Sequence, residues 1–146
     1  MPKTELRSEV EIHAPASHVY GVLTDFAHYQ EWNPYLTEVS GELLVGQKLR
    51  LGLSLPEGSA YELQADVTHI TPNEALRWVG RFWSSSLLQL EQSFTLSEPR
   101  PGVTRVLQGQ DFSGFLLRFA GKGLTQAARG AVYMNQALKK RAESAR

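Results

Sequence analysis

Three glutamines are the polar side chains that the strand patterns of this chain direct inward. Gln92 alternates with apolar residues in one segment, and Gln108 and Gln110 do the same in another. An amide is neutral at every accessible pH, so these groups can orient a carbonyl or hydroxyl of a ligand but cannot act as general acids or bases. Their residue type therefore favours binding over proton transfer.

The same glutamines also have a purely structural interpretation. A buried amide without a partner costs about 1–3 kcal/mol, so each one needs a hydrogen bond. They could form a ladder across adjacent strands, or a bulge at Gly109 could turn Gln108 and Gln110 toward water. If they contact a ligand instead, we expect alanine at Gln108 or Gln110 to change ligand preference more than fold stability. Alternation directs the nearby Asp111 outward.

A large set of aromatic residues lies near strand ends and in a short helical insert. Such residues pack in cores, but together they favour an apolar ligand. We expect a pocket lined by the three glutamines and by Trp32, Tyr35, Tyr61, Trp78, Trp83, Phe112, Phe115 and Phe119.

Composition and spacing exclude several other kinds of site. The chain has no cysteine, and its four histidines show no metal-ligand spacing, so we expect no metal and no other cofactor. No G-x-S-x-G motif or phosphate-binding loop is present. Fifteen basic and fifteen acidic residues give a formal charge of zero, which argues against a nucleic-acid partner. We identify no catalytic residue.

The elements that must position these residues follow from hydrophobic periodicity. A first alternating strand is followed by an insert over Ala14–Leu36, with two short helices that end at Asn33-Pro34. Six further alternating segments come next, and Phe115–Arg141 then has one long helical pattern. The order predicts one α+β domain over residues 1–146, in which a curved seven-stranded antiparallel sheet grips the C-terminal helix.

The predicted last helix carries small residues on the first half of its buried face. Ala120, Gly123 and Ala127 lie there, with Gly130 nearby, whereas Met134 and Leu138 fill the second half. Glycine inside a helix costs about 1 kcal/mol relative to alanine. Either the helix approaches the sheet very closely, or it leaves a void for a ligand. We expect a pocket between the concave sheet and this half, with Gly123 and Ala127 among its walls.

The chain resembles the START/Bet v 1-like (SRPBCC) superfamily, in its polyketide cyclase/dehydrase-like branch. The resemblance covers almost the whole chain and is most specific in the segment TDFAHYQEWNPY; the other matching pieces are residues 11–36, 72–82, 91–99, 103–114 and the final helix. Membership implies a helix-grip fold around a deep apolar pocket whose ligands range from lipids to polyketides and hormones. It does not imply one activity, because the fold hosts several.

This chain also departs from the residue pattern that the resemblance implies. Relatives in this branch often carry histidine or glutamate at the positions of Gln92, Gln108 and Gln110, and those groups can exchange protons near neutral pH. Glutamine cannot, which puts a cyclase or dehydratase mechanism in doubt.

Three functions stay open at the level of sequence. The first is binding or carriage of a hydrophobic small molecule, the second is a cyclase or dehydratase that uses the same pocket, and the third is a protein-interaction module. No apolar run approaches the roughly 20 residues of a membrane span, and the N-terminus has no apolar signal region. We expect a cytoplasmic monomer or homodimer without integral membrane association.

Overall fold

The computed structural model describes residues 3–82 and 87–144, which form one curled antiparallel sheet and the helices packed against it. The strands are β1 (Lys3–Ile12), β2 (Leu36–Ser40), β3 (Lys48–Ser54), β4 (Ala60–Thr71), β5 (Ala75–Phe82), β6 (Leu88–Arg100) and β7 (Val103–Ser113). The helices are α1 (Ala16–Thr24), a 3-10 turn (Phe26–His28), α2 (Tyr29–Trp32), a 3-10 segment (Phe115–Phe119) and α3 (Gly121–Ser144). This confirms the predicted α+β helix-grip fold.

The sheet has the strand order β1-β7-β6-β5-β4-β3-β2, and every neighbouring pair is antiparallel. Alternate residues are buried on the concave face, most regularly in β3 and β6, as the period of two predicts. Irregularities in register, which bend a strand and increase its twist, occur between Leu36 and Glu38, Val67 and His69, and Ser97 and Arg100.

The insert between β1 and β2 folds as two helices, as its pattern predicts. Asn33 ends α2, and its side-chain oxygen accepts hydrogen bonds from the backbone N–H groups of Tyr35 (3.0 Å) and Leu36 (2.9 Å). These bonds turn the chain directly into β2. They also fix the position at which Tyr35 enters the core, where it is fully buried.

The predicted start of the last helix is wrong. The pattern from Phe115 to Arg141 predicts one helix beginning near Gly114, but residues 115–119 form a separate 3-10 segment and α3 begins at Gly121. The backbone N–H of Leu116 donates to the carbonyl of Leu87 (2.9 Å), and Gly114 has a φ of +128°. Gly114 and the bond to Leu87 therefore set the start of the 3-10 segment, and Ala120, with φ −106° and ψ 21°, separates it from α3.

The two glycines on the sheet side of α3 differ in their surroundings, since Gly130 is buried and Gly123 is exposed. A Cβ atom on Gly130 would lie 2.7 Å from Cε1 of Tyr35, so the helix approaches this ring more closely than any side chain would permit. A Cβ atom on Gly123 would meet no heavy atom within 4 Å. Close packing therefore explains Gly130, and open space surrounds Gly123.

A chain of buried side-chain hydrogen bonds joins the sheet to α3. Gln92 Nε2 donates to Gln108 Oε1 (2.8 Å), and Gln108 Nε2 donates to Asn135 Oδ1 (2.7 Å) and to the carbonyl of Ala131 (3.2 Å). Asn135 Nδ2 in turn donates to Ser8 Oγ on β1 (2.9 Å). We call these side chains, from Gln92 to Ser8, the amide network.

The amide network decides between the two structural interpretations of the glutamines. The register of β7 runs through Gly109 without a shift against both of its neighbours, so no bulge turns Gln108 or Gln110 outward. Gln92 and Gln108 instead form a cross-strand pair that continues onto α3. Because the amide of Gln108 bonds to Gln92, Asn135 and the carbonyl of Ala131, we now expect Gln108 to contribute to stability; its effect on ligand preference stays a prediction.

We predict that Gly130→Ala destabilises the protein by about 1–3 kcal/mol, because the added methyl group overlaps a buried ring that cannot move freely. Gly21→Ala is the matched control within α1, since its Cβ would meet nothing within 4 Å. The control should gain about 0.5–1 kcal/mol from higher helix propensity. Urea denaturation measures both, and a Gly130→Ala variant as stable as the wild type would contradict the close approach.

We also predict that Gln108→Ala lowers the free energy of unfolding by about 1–3 kcal/mol, because Gln92 and Asn135 lose their buried partner. Gln64 on β4 is exposed, so Gln64→Ala should change stability by less than about 0.5 kcal/mol. Equal unfolding midpoints for the two variants would show that the amide network contributes nothing.

Candidate functional site: an apolar cavity beside the start of α3

A cavity of about 360 Å³ lies where the predicted pocket was placed, between the concave sheet and the first turns of α3. The ends of β3 to β7 form one wall, and the 3-10 segment with the first turns of α3 forms the other. The lining residues are Leu53, Leu55, Tyr61, Phe82, Leu88, Phe112, Leu116, Phe119, Ala120, Gly123, Leu124 and Ala127.

Side-chain volume along α3 explains why the space occurs at this end. Ala127 and Gly123 present little or no side chain to the sheet, and the Cβ position of Gly123 is open. Further along the helix, Met134 and Leu138 are fully buried and fill the interior. The sheet and helix therefore enclose a packed core at one end and a cavity at the other.

The mouth of the cavity has a polar rim. A shallower depression of about 450 Å³ shares Leu55, Tyr61 and Gly123 with the cavity, and its other lining residues are Glu57, Ser59, Lys122, Thr125 and Gln126. The side-chain hydroxyl of Ser59 and its backbone N–H (2.6 Å) both hydrogen-bond to Glu57, and these bonds lower the pKa of its carboxyl group. A ligand that fills the cavity would meet charged and hydroxyl groups only at its outer end.

Five of the residues predicted for the pocket line this cavity. Tyr61 and Phe112 come from the sheet, Phe119 from the 3-10 segment, and Gly123 and Ala127 from α3. The ring of Tyr61 also packs edge-on against Phe82, with 6.2 Å between the ring centroids.

Phe115 and Trp83 are not placed in the cavity. Phe115 is 51% exposed, and its ring packs against Phe119 and lies under Arg118, outside the set of lining residues. The prediction that it closes the pocket is wrong, because the 3-10 segment rotates it away from the face that a continuous α-helix would have given it. Trp83 lies outside the described residues.

Trp32, Tyr35 and Trp78 pack elsewhere in the fold. Trp32 lies edge-on to Tyr29, with ring centroids 5.1 Å apart, at a groove beside α1. Trp78 is 1% exposed and packs against Phe94. The prediction that these three line the cavity is corrected. Trp32 ends α2, and Tyr35, just before β2, packs against Gly130 of α3. For Trp78, inward alternation gives the face of the strand but not the depth along it.

The glutamines also lie deeper than the cavity. Gln92 pairs in register with Trp78 on one side and Gln110 on the other, whereas the cavity is lined by Phe112, two positions further along β7. Two strand positions correspond to about 7 Å. Gln110 Nε2 donates to the hydroxyl of Tyr35 (2.5 Å), so this pair forms part of the layer beneath the cavity.

Sequence reasoning did not name several lining residues: Leu53, Leu55, Phe82, Leu88, Leu116, Ala120 and Leu124. Their position at the ends of strands was the signal that could have identified them. Leu53 and Leu55 alternate inward near the end of β3, and Phe82 and Leu88 flank the connection between β5 and β6. Residues at the same end of several antiparallel strands meet at one edge of the sheet, which is where the cavity opens.

The lining offers little proton chemistry. Among the described lining residues, Tyr61 has the one polar side chain. The buried Tyr35 is held protonated, because loss of solvent raises the pKa of its hydroxyl far above the ordinary range. Asp111 faces outward and forms an ion pair with Arg7 (2.5 Å).

The described residues contain no metal-binding group of three or more histidine, cysteine or carboxylate side chains. His18 instead contacts the carbonyl of Ala142 (2.9 Å), and His28 pairs with Asp25 (2.7 Å), which raises the pKa of its ring. Within residues 3–82 and 87–144, no helix has the length and apolar character needed to cross a bilayer.

Solved structures with this architecture include natural-product enzymes. The Zhui aromatase/cyclase from Streptomyces sp. R1128 superposes with a TM-score of 0.80 at 16% identity, over 97% of this chain and 94% of that one. A START superfamily protein from Mycobacterium smegmatis gives 0.76 at 20% identity, over 97% and 99%. Norcoclaurine synthase from Thalictrum flavum, in complex with dopamine and hydroxybenzaldehyde, gives 0.75 at 12% identity, over 99% and 89%. At these identities the similarity establishes the fold.

The sequence itself establishes the family. No curated protein matches it significantly. The family model described as "Polyketide cyclase / dehydrase and lipid transport" matches residues 3–143, which is nearly the whole chain. The chain therefore belongs to the polyketide cyclase/dehydrase and lipid transport family.

Proposed function

We propose that this protein binds a hydrophobic small molecule in the cavity beside α3 and holds it without converting it. The observation that carries the proposal is the composition of the wall. Leucine, phenylalanine, alanine and glycine make up the described lining, apart from the hydroxyl of Tyr61. Affinity then depends mainly on the apolar area removed from water, at about 25 cal/mol per Å².

The size and the polar rim indicate the shape of the ligand. A volume of about 360 Å³ is near the lower end of the range for small-molecule sites, so the ligand is a compact aromatic or a short lipid-like molecule. Tyr61 is 44% exposed at the boundary between cavity and rim, where its hydroxyl can donate to a carbonyl of the ligand.

Binding without turnover is supported by what lies next to the cavity. General acid–base catalysis needs a group whose pKa is near the working pH and which reaches the reacting atom. The layer beneath the cavity provides the amide of Gln110 and the protonated hydroxyl of Tyr35, which can donate or accept hydrogen bonds but do not exchange protons near neutral pH.

The comparisons support an apolar or aromatic ligand class. One structural neighbour is described as an aromatase/cyclase, and another was solved with dopamine and hydroxybenzaldehyde bound. Those activities and ligands belong to the neighbours. A cyclase or dehydratase that uses this pocket is the alternative that the experiments below must distinguish.

We predict that Gly123→Leu blocks binding. A leucine side chain at this position extends into open space that the cavity occupies, so the fold should tolerate it while the ligand loses its site. With the neutral fluorescent probe N-phenyl-1-naphthylamine, the wild type should bind saturably, and the variant at least about tenfold more weakly, since about 1.4 kcal/mol of lost apolar contact is sufficient.

Gly121→Leu is the matched control for this experiment. Gly121 lies two residues earlier on α3, a Cβ there also meets nothing within 4 Å, and it is outside the set of lining residues. It should keep the affinity of the wild type for the probe. Equal losses in the two variants, or unchanged binding in Gly123→Leu with wild-type stability, would place the ligand elsewhere.

A separate measurement addresses turnover. The molecule that remains bound to protein purified from its own host can be identified by native mass spectrometry, extracted and added back to ligand-free protein. We predict that it is recovered unchanged after prolonged incubation. Conversion that disappears in Tyr61→Phe, with probe binding retained, would overturn the proposal in favour of an enzyme, because Tyr61 supplies the one hydroxyl in the described lining.

A further inference from the structure

The formal charge of zero conceals a strong separation of charge along the chain. Between Phe112 and Ala142 there are six basic residues and no acidic residue, whereas the rest of the chain has nine basic and fifteen acidic residues. This basic stretch comprises the 3-10 segment and nearly all of α3, which are the elements that form the helical wall of the cavity.

Several of these cations have no anionic partner in the described part of the protein. Lys139 and Arg141 form ion pairs with Glu143 and Glu31. Within residues 3–82 and 87–144, the other four cations of this stretch take part in no ion pair: Arg118, Lys122, Arg129 and Lys140.

Three of these unpaired cations lie on the outward side of α3: Lys122, Arg129 and Lys140. Their spacing of seven and eleven residues places them on one helical face, opposite the buried face at Ala127 and Ala131. Arg118 extends the row beyond the start of α3. The carboxylate at the rim is Glu57, which is already bonded to the backbone N–H of Ser59.

Exposed apolar side chains project from the same end of the molecule. Phe119 is 73% exposed, Phe115 is 51% exposed, and Leu87, whose carbonyl binds the N–H of Leu116, is 38% exposed. The guanidinium of Arg118 lies 5.0 Å from the centroid of the Phe115 ring. Phe119 also lines the cavity and Lys122 lies on its rim, so this group of side chains adjoins the opening.

We propose that this mouth face, defined by Leu87, Phe115, Arg118, Phe119, Lys122 and Arg129, docks on the surface of an anionic lipid bilayer. Protruding apolar side chains enter the boundary between headgroups and acyl chains, and flanking cations are attracted to anionic headgroups. Docking in this orientation places the opening of the cavity at the lipid interface. The docking proposal does not depend on the proposed function. The proposed function only gives docking a purpose, which is the exchange of an apolar ligand.

A lipid surface accounts for these observations better than an acidic protein does. Phe115 and Phe119 are both more than half exposed beside the cation of Arg118, so they suit a surface that carries negative charge and deforms around protruding side chains. A molecule that prefers an apolar cavity also partitions into bilayers, so a mouth held against lipid shortens its path through water.

The test uses ligand-free protein and sedimentation with vesicles. Wild type should bind vesicles of equal parts phosphatidylcholine and phosphatidylglycerol, and should bind phosphatidylcholine vesicles at least about fivefold more weakly. Salt at about 0.5 M should release it, because the screening length then falls below roughly 5 Å. Failure to bind the anionic vesicles at low salt would overturn the proposal, as would binding to a soluble acidic protein but not to vesicles.

Matched variants identify the surface. Arg129→Gln should weaken vesicle binding about fivefold, as expected for one cation near an anionic surface, and Phe115→Ser by at least as much. The controls are Arg50→Gln on β3 and Leu44→Ser in the loop before β3, both highly exposed and far along the chain from the mouth face. These controls should stay within about twofold of wild type, and losses equal to those of the mouth-face variants would overturn the assignment.

Probe binding without vesicles separates this proposal from the proposed function. Phe115 and Arg129 lie outside the cavity lining, so both variants should bind N-phenyl-1-naphthylamine as the wild type does. A protein that binds anionic vesicles but not the probe supports docking and contradicts the cavity function. A protein that binds the probe but not the vesicles overturns docking alone.

Discussion

The contact between the ring of Tyr35 and the backbone of α3 at Gly130 sets the distance between helix and sheet. The ring occupies the position that a side chain on Gly130 would need, and its hydroxyl is fixed from the sheet side by Gln110. With this distance fixed, the volume of the remaining side chains decides what is packed and what is open. Met134 and Leu138 fill the space on one side of the contact, whereas Gly123 and Ala127 leave the cavity on the other.

The amide network stabilises the same arrangement by different means. Packing against Tyr35 limits how closely α3 can approach, and the bonds from Gln108 to Asn135 and to the carbonyl of Ala131 specify where along the sheet it lies. Hydrogen bonds of this kind contribute little net stability, but leaving their groups unpaired in the core is costly. A helix shifted by one turn would leave these amides without partners, so the network selects one register of α3.

Periodicity was sufficient to predict the elements and the end of α3 at which the cavity lies, because both depend on local alternation and on the run of small residues. It could not predict where α3 begins, since the segment after Gly114 is locally helical but is anchored to Leu87, nearly thirty positions earlier, and leaves helical geometry at Ala120. It also could not separate Phe112, which lines the cavity, from Gln110, which lies beneath it. Alternation gives the face of a strand, whereas depth depends on how far the helix covers it.

The position of the polar groups is the physical basis for proposing binding without turnover. In an enzyme of this fold, proton-transfer groups must reach the reacting atoms inside the pocket. Here the interior amides serve the fold, the hydroxyl of Tyr61 stands at the boundary, and the cations lie outside on the 3-10 segment and α3. In the proposed function, the cations outside the cavity therefore act on what approaches its opening, whereas shape and apolar contact hold the ligand inside.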